Sequence, residues 1–214
     1  MKHLTPLTLL AALCAQTASA DTYKTEVWAD NWFTLSVNGE HVATDSVPIT
    51  TERSFNAETF TFDAEPPFVI ALTAKDFKEN DTGLEYIGTR RQQMGDGGVI
   101  VQITKANGDL VAATDENWKC LVTHNAPAQK SCADESAPIA GSDTCASTTF
   151  DVPNGWDSLN FDDSAWSNAN EYSEQAVRPK DGYNRISWHS AAKLIWGPDL
   201  ETDNTVLCRM VVTQ

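Results

Sequence analysis

Short runs in which apolar and polar residues alternate recur along this chain, and they predict antiparallel β-strands. The clearest stretch is 99–120, where alternating runs at 99–103 and 110–113 flank Asn107 and Gly108. These two residue types tolerate the positive φ angles that tight hairpin turns require. We therefore expect a β-hairpin here.

The same alternation predicts strands elsewhere, with turn residues between them. A second hairpin is expected around Asn38 and Gly39, and the nearly continuous apolar run at 68–74 predicts a strand buried on both faces. Further strand candidates are 23–27, 55–62, 187–195 and 205–212. The sequence contains no pattern typical of a long helix, so it predicts an all-β sandwich or barrel.

The first twenty residues follow a different pattern. A basic start precedes an apolar run at 7–14, and Ala18 and Ala20 supply the small residues that a signal peptidase requires. The apolar run is shorter than the roughly twenty residues that cross a bilayer. We therefore predict a signal peptide at 1–20 and one exported domain at 21–214, periplasmic or secreted, without membrane insertion.

The charge balance is strongly acidic, with 30 Asp and Glu residues against 15 Lys and Arg and a net charge of −15. Such a surface repels nucleic acid and anionic membranes, which are bound through clusters of basic residues. It also offers many carboxylate oxygens to hard cations such as calcium. Nucleic acid is therefore not an expected partner.

Four cysteines follow the predicted signal peptide, and an even number in an exported protein predicts two disulfides. Three connectivities can be drawn from four cysteines. Cys132 and Cys145 lie in a polar excursion at about 125–148, so we expect them to close this loop, which leaves Cys120 with Cys208. The rival interpretation, a zinc site, lacks the Cys-x-x-Cys spacing.

Four segments carry motifs that occur together in one known family. They are an aromatic strand ending in Asn-Gly at 30–39, a hairpin ending in Thr-Asp-x-x-Trp at 103–119, Phe-Asp-Asp-Ser-Ala-Trp at 161–166, and closing strands at 193–199 and 206–210. In this order they resemble galactose-binding-like jelly-roll domains, the accessory β-sandwich modules found with glycoside hydrolases. The resemblance implies a non-catalytic module that often binds glycans through end loops and sometimes holds a structural calcium. It also implies core positions for Trp118, Trp166 and Trp196.

Exposed aromatic and guanidinium groups in loops are the candidates for a ligand site. Trp156 and Trp188 lie in loop-like sequence, and an aromatic ring covers the C–H face of a pyranose well. Arg90 and Arg91 stand near glycines and can hold a carboxylate or sugar hydroxyls through paired hydrogen bonds. The alternatives are core packing for the tryptophans and internal ion pairing for the arginines.

Two sets of residues are candidates for metal binding. The first offers carboxylate and amide oxygens of the kind that calcium takes, though without EF-hand spacing. Its members are Asp157, Asn160, Asp162 and Asp163. Turn formation and helix capping are their alternative role. The second set comprises His41, His124 and His189, which lack the short spacing typical of zinc or copper ligands, so surface roles are favoured.

No nucleophile elbow and no phosphate-binding glycine loop occurs in the sequence, so no enzymatic activity is expected. We interpret the chain as an exported, non-catalytic module that binds a carbohydrate or similar polar ligand. Calcium is its candidate cofactor, and a glycan or an envelope protein its candidate partner. The alternatives are a structural protein of the cell envelope without a small-molecule site, and a metal-binding protein that uses its histidines.

Overall fold

The computed structural model describes residues 20–213 as an all-β protein built from antiparallel strands. The predicted signal peptide lies outside the described residues, apart from Ala20. Two large sheets, of six and seven strands, carry most of the chain, and a third sheet has two strands. Within residues 20–213, no helix is both long enough and apolar enough to span a bilayer.

The chain passes repeatedly between the two large sheets. In spatial order, the six-stranded sheet contains β13 (Asn170–Tyr172), β14 (Leu194–Trp196), β8 (Gly98–Lys105), β1 (Asp21–Asp30) and β4 (Phe55–Ala64), with β9 (Leu110–Ala113) also paired to β8. The seven-stranded sheet contains β11 (Thr148–Thr149), β10 (Lys119–Asn125), β15 (Asp203–Val212), β5 (Phe68–Lys75), β2 (Trp32–Val37) and β3 (Glu40–Thr44), with β12 (Ser167–Asn168) also paired to β10. The small sheet pairs β6 (Leu84–Glu85) with β7 (Gln93–Met94). Helix α1 (Glu174–Val177) is a single turn, and 3₁₀ turns occur at Lys130–Asp134 and Tyr183–Arg185.

The two large sheets enclose a common core. Val27 and Val101 of the six-stranded sheet and Phe33 and Leu72 of the seven-stranded sheet are fully buried in one apolar cluster. The tryptophans expected in the core are buried: Trp118, Trp166 and Trp196. Two antiparallel sheets that share one apolar core form an arrangement of the β-sandwich type.

Both predicted hairpins are confirmed. Gly108 lies between β8 and β9 with a φ of 89°, and Asn38 and Gly39 lie between β2 and β3 with φ of 51° and 82°. These positive φ angles are the reason for Asn and Gly at the turns, because most other residues are strained there.

Two cysteine pairs lie at disulfide distance, in the expected connectivity. Cys120 of β10 lies directly opposite Cys208 of β15, with 4.2 Å between the Cα atoms, so this pair joins two adjacent strands of the seven-stranded sheet. Cys132 and Cys145, whose Cα atoms are 5.2 Å apart, close the excursion between β10 and β11. Such pairs are compatible with an oxidising compartment.

One predicted strand is wrong over most of its length. Of the expected strand at 187–195, only Leu194 and Ile195 belong to a strand, β14. The residues before it are tied to the six-stranded sheet by the side chain of Gln102 instead of a backbone ladder. This side chain donates to the Ser187 carbonyl at 3.2 Å and accepts from the His189 amide at 2.7 Å.

The two large sheets come together where β1 leads into β2. Asp30 ends β1 in the six-stranded sheet, and Trp32 opens β2 in the seven-stranded sheet. The peptide bond between Asp30 and Asn31 is cis. β5 ends at Lys75, opposite Trp32, and β8 begins at Gly98, opposite Asp30. The ends of four strands therefore meet at one end of the molecule.

Candidate metal centre

Three buried aspartates meet at this end of the molecule. Asp30, Asp76 and Asp96 each offer a carboxylate oxygen, and these three atoms all lie within 4.8 Å of one another. The exposed fractions of the three residues are 0%, 3% and 7%. In the part of the chain that the structure describes, this is the one group of three or more His, Cys, Asp or Glu side chains with such spacing. We call it the aspartate cluster.

Backbone hydrogen bonds fix two members of the aspartate cluster. Asp30 is the last residue of β1 and is paired on both sides in the six-stranded sheet. The amide of Asp76 donates to the carbonyl of Asn204 at 2.9 Å, just beyond the end of β5. Asn31 joins these segments, because its Oδ1 accepts from the amide of Phe77 at 2.6 Å. The two carboxylates are therefore held by strand ends rather than by a free loop.

Glycine allows the segment that carries Asp96 to approach the cluster. A Cβ on Gly95 would overlap the carboxylate of Asp76, and a Cβ on Gly97 would overlap the indole of Trp196. The backbone therefore packs directly against both side chains. The position of Asp96 beside Asp76 depends on the absence of side chains on either side of it.

Two members of the aspartate cluster are buried without hydrogen-bond partners among the described residues. Within the described residues, neither carboxylate oxygen of Asp30 or of Asp76 has a hydrogen-bond partner. Leaving a buried polar group unpaired costs about 1–3 kcal/mol, and more when it is charged. Burial raises the pKa of Asp30 well above its ordinary range, and Asp96 raises it further. Burial likewise raises the pKa of Asp76, and the Asp30, Glu85 and Asp96 carboxyls add to this effect.

Glu85 of β6 is a fourth carboxyl group near the cluster, and only 2% of it is exposed. Burial raises its pKa to about 7, with Asp96 contributing in the same direction. Gln93 of β7 donates to Glu85 Oε2 at 2.8 Å, which opposes this rise. Glu85 therefore changes its protonation near neutral pH.

Lys180 is the cation that reaches the cluster. Its Nζ lies 3.1 Å from Asp96 Oδ2, 3.6 Å from Asp30 Oδ2 and 4.7 Å from the centre of the Phe55 ring. Burial acts to lower the pKa of Lys180, but Asp30 and Asp96 outweigh burial and raise the pKa. Arg178 lies 3.6 Å from Asp96, yet its side chain is 70% exposed, so solvent screens that pair. One ammonium group thus contacts two of these four carboxyl groups.

The chemistry of the donor set fits an oxygen-ligated divalent cation. The cluster offers only carboxylate oxygens, which suit calcium or magnesium better than zinc or copper. Two oxygens that bind one calcium ion at 2.3–2.6 Å lie at most about 5 Å apart. The spread of 4.8 Å falls within this limit. Such an ion would supply both a partner for the orphaned oxygens and an opposite charge.

A surface cleft adjoins the aspartate cluster. Its volume is about 310 Å³, within the range of roughly 300–1,000 Å³ that is typical of small-molecule sites. Asp96 and Lys180 belong to both the cleft and the surroundings of the cluster. The charged and aromatic side chains that line it include Arg53, Phe55, Glu85, Tyr86, Arg91 and Arg178.

The structure does not bring the four predicted ligand-binding residues together. Arg91 lines the cleft, whereas Arg90 lines a separate cavity beside the loop closed by the second cysteine pair. Trp156 stacks on Trp166, with 6.0 Å between ring centres. The Nε1 of Trp188 donates to the carbonyl of Tyr183 at 3.1 Å. Neither Trp156 nor Trp188 lines the cleft, and of the four predicted residues only Arg91 does.

The predicted calcium set is also not gathered into one group of carboxylates. Asp162 accepts from the amide of Ser164 at 3.0 Å, which is the turn role, and Asp163 pairs with the buried Arg209. Within the described residues, Asp157 does not belong to a group of three potential ligands at metal-ligand spacing. Asn160 is exposed.

The three histidines likewise lie apart. His41 is hydrogen-bonded to Thr44 at 2.7 Å, and the Nδ1 of His124 lies 3.1 Å from Asn204 Oδ1. The Nδ1 of His189 accepts from the amide of Ala191 at 3.1 Å. Within residues 20–213, none of them belongs to a group of three potential metal ligands.

Sequence reasoning missed the aspartate cluster because its members are 46 and 20 residues apart. Two signals were available. Asp30 and Asp76 each end an apolar strand, and Asp96 stands between two glycines. Neither signal shows that the strand ends meet, since that depends on the sheet topology.

Comparisons with known proteins add no family for this chain. Searches against protein-family models, curated proteins and solved structures found no match. Function is therefore argued from the site itself.

Proposed function

We propose that this protein is an exported, non-catalytic binding module that holds a divalent cation and takes a carbohydrate or similar polar ligand in the adjoining cleft. Asp30, Asp76 and Asp96 would ligate the cation, and calcium suits this donor set. The observation that carries the proposal is the pair of buried aspartates, Asp30 and Asp76, whose four carboxylate oxygens have no hydrogen-bond partner within residues 20–213.

The buried carboxylates of the aspartate cluster need electrostatic compensation. Buried carboxylates repel one another and lose their hydration, so a protein keeps them only when a proton, a cation or a hydrogen-bond donor compensates. Lys180 supplies one positive charge, and its closest contacts are to Asp96 and Asp30. Among the residues that the structure describes, Asp76 has no comparable partner. A divalent ion between the three aspartates would compensate all of them at once.

Three further parts of the proposal have separate support. The four family-like motifs and the two antiparallel sheets with a common core favour a galactose-binding-like jelly roll. The apolar leader and the two cysteine pairs favour export. The cleft, whose size suits a small ligand, favours binding over a purely structural role.

The test is a calorimetric titration of the chelator-treated protein with calcium and, separately, with magnesium. We expect wild type to bind one calcium ion per chain at pH 8. Asp76→Asn and Asp96→Asn, which keep the side-chain size, should each weaken calcium binding at least tenfold. Asp162→Asn is the matched control, because this exposed aspartate lies outside the cluster.

The outcomes separate the alternatives. Loss of binding in Asp162→Asn, with binding retained in Asp76→Asn, would place the cation in the loop set that the sequence predicts. Absence of binding to any divalent ion would mean that protons alone neutralise the cluster, and the cation proposal would fail. A glycan array without a hit, with and without calcium, would favour the structural envelope protein instead.

A further inference from the structure

The cleft beside the aspartate cluster concentrates guanidinium groups in a strongly acidic protein. The chain has six arginines and a net charge of −15. Three of the arginines, Arg53, Arg91 and Arg178, line this one cleft. In an acidic protein, arginines are expected to be spread among the many available carboxylates, so their convergence on one cavity needs a cause.

Two of these arginines lack an internal ion pair. Within residues 20–213, no carboxylate oxygen lies within 4.0 Å of a guanidinium nitrogen of Arg53 or Arg91, and both residues are exposed. The neighbouring cavity of about 440 Å³ shows the contrast. Its lysine, Lys130, is paired with Asp199 at 2.9 Å and with Glu201 at 2.5 Å. Lys130 in that cavity therefore has carboxylate partners within the protein, whereas Arg53 and Arg91 at the cleft have none among the described residues.

The cleft also holds one guanidinium in a defined orientation. The Cζ of Arg91 lies 4.3 Å from the centre of the Tyr86 ring, so the guanidinium is stacked on an aromatic face. Stacking leaves the N–H groups at the edge of the guanidinium available for hydrogen bonds. The turn between β6 and β7 carries both residues, and it is anchored by Gln92, which donates to the carbonyls of Ala133 and Glu135 at 2.8 Å. This turn, which we call the cationic wall of the cleft, is therefore held by hydrogen bonds to the loop that Cys132 and Cys145 close.

The opposite charges in the cleft define what a ligand must offer. Glu85 and Asp96 line it together with the arginines, and their carboxylates accept hydrogen bonds. A wholly anionic ligand, such as an acidic peptide, would be repelled by these groups. A ligand with a carboxylate on one side and hydroxyl donors on the other satisfies both sets of partners.

We propose that Arg53 and Arg91 bind the carboxylate of an acidic saccharide, whose hydroxyl groups face Glu85 and Asp96. This inference rests on the proposed function and narrows its ligand from a polar saccharide to a carboxylated one. Planar guanidinium groups recognise planar carboxylates through paired, charge-assisted hydrogen bonds.

The experiment measures binding of digalacturonic acid to the full-length protein by calorimetry, in the presence of calcium. The methyl ester of the same disaccharide is the matched neutral probe, and a penta-aspartate peptide represents an anion without hydroxyl groups. We expect the acid to bind at least tenfold more tightly than either. Arg91→Gln and Arg53→Gln should each weaken binding of the acid about tenfold. Arg90 is an exposed neighbour that lines another cavity, so Arg90→Gln should leave binding of the acid unchanged.

The same titrations separate failure of this inference from failure of the proposed function. Equal binding of the acid and its ester would overturn the carboxylate inference and leave carbohydrate binding in place. Tighter binding of penta-aspartate would overturn it in favour of an acidic peptide. Equal losses in Arg90→Gln and Arg91→Gln would remove the cleft as the site. Calcium binding, measured on the same preparations, reports on the cation proposal independently, because neither arginine belongs to the aspartate cluster.

Discussion

Replacing Asp76 with asparagine should stabilise the cation-free protein and reduce its response to calcium. Both oxygens of Asp76 are buried without a partner, and oxygens of Asp30 and Asp96 lie within 4.8 Å of an Asp76 oxygen. An asparagine at this position has nearly the same size and carries no charge, so it does not repel these carboxylates. Since an unpaired buried polar group costs about 1–3 kcal/mol, we expect a gain of this order in the free energy of unfolding at pH 8 in chelator.

Calcium should narrow this difference in stability. At a calcium concentration 100 times the dissociation constant, binding adds about 2.7 kcal/mol to the stability of wild type. For a chain of this length, 1 kcal/mol changes the Tm by about 2–4 °C, so the Tm of wild type should rise by about 5–10 °C. The Tm of Asp76→Asn should rise by at most about half as much, because calcium binding at least tenfold weaker adds no more than about 1.4 kcal/mol at the same calcium concentration. Differential scanning calorimetry with chelator and with calcium measures all four values.

The pH dependence gives a second check on the same variant. Burial raises the pKa of Asp76 above the ordinary 3.8, so the folded protein holds this proton more tightly than the unfolded chain. The stability due to this carboxyl is fully present below pH 3.8 and is lost as the pH rises through the folded pKa. In chelator, the free energy of unfolding of Asp76→Asn should therefore exceed that of wild type at pH 8, and this difference should vanish at about pH 3.5. A variant that is less stable than wild type in chelator at pH 8 would refute the reasoning.

Two further predictions concern stability away from the cluster. Burial raises the pKa of Asp45 to about 6, so the stability due to this carboxyl is present below pH 3.8 and is lost as the pH rises through about 6. Asp45→Asn keeps the acceptor for the Val47 amide. In urea titrations this variant should raise the free energy of unfolding by about 1–3 kcal/mol at pH 7.5 but not at pH 4. Replacing both cysteines of the Cys120–Cys208 pair, whose sequence separation is 88, with serine should lower the free energy of unfolding by about 4–5 kcal/mol. The same replacement of the Cys132–Cys145 pair, whose separation is 13, should lower it by about 3 kcal/mol, because this pair closes a shorter loop. An unchanged pH profile in the first case, or equal losses in the second, would contradict these expectations.

Local sequence patterns were sufficient for the parts of the fold that depend on neighbouring residues. The turns at Asn38 and Gly108 were predictable because positive φ restricts the choice of residue. The strand at 187–195 was wrong because the side chain of Gln102 hydrogen-bonds to that segment and takes the place of backbone pairing. Alternation along a chain carries no information about such a distant side chain.

The candidate site could not be predicted from local sequence patterns for a related reason. Arg91 could be named from its type and its neighbours, but its aromatic support by Tyr86 comes from the small hairpin of β6 and β7. Trp156 and Trp188 were chosen as loop aromatics, yet each ring has an aromatic partner in the fold. Residue type indicates what a side chain can bind, whereas the topology decides which side chains share a cavity.

Two structural features of this protein support the cleft from different sides. The pair Cys132 and Cys145 packs against Leu84 of β6, so the disulfide-held loop supports the hairpin that carries the cationic wall. On the other side, strand ends hold Asp30 and Asp76 rigidly in a place where apolar side chains would cost less. A fold selected only for stability would not combine unpaired buried carboxylates with a braced cationic wall beside them. That combination is the reason for proposing a binding function at the cleft.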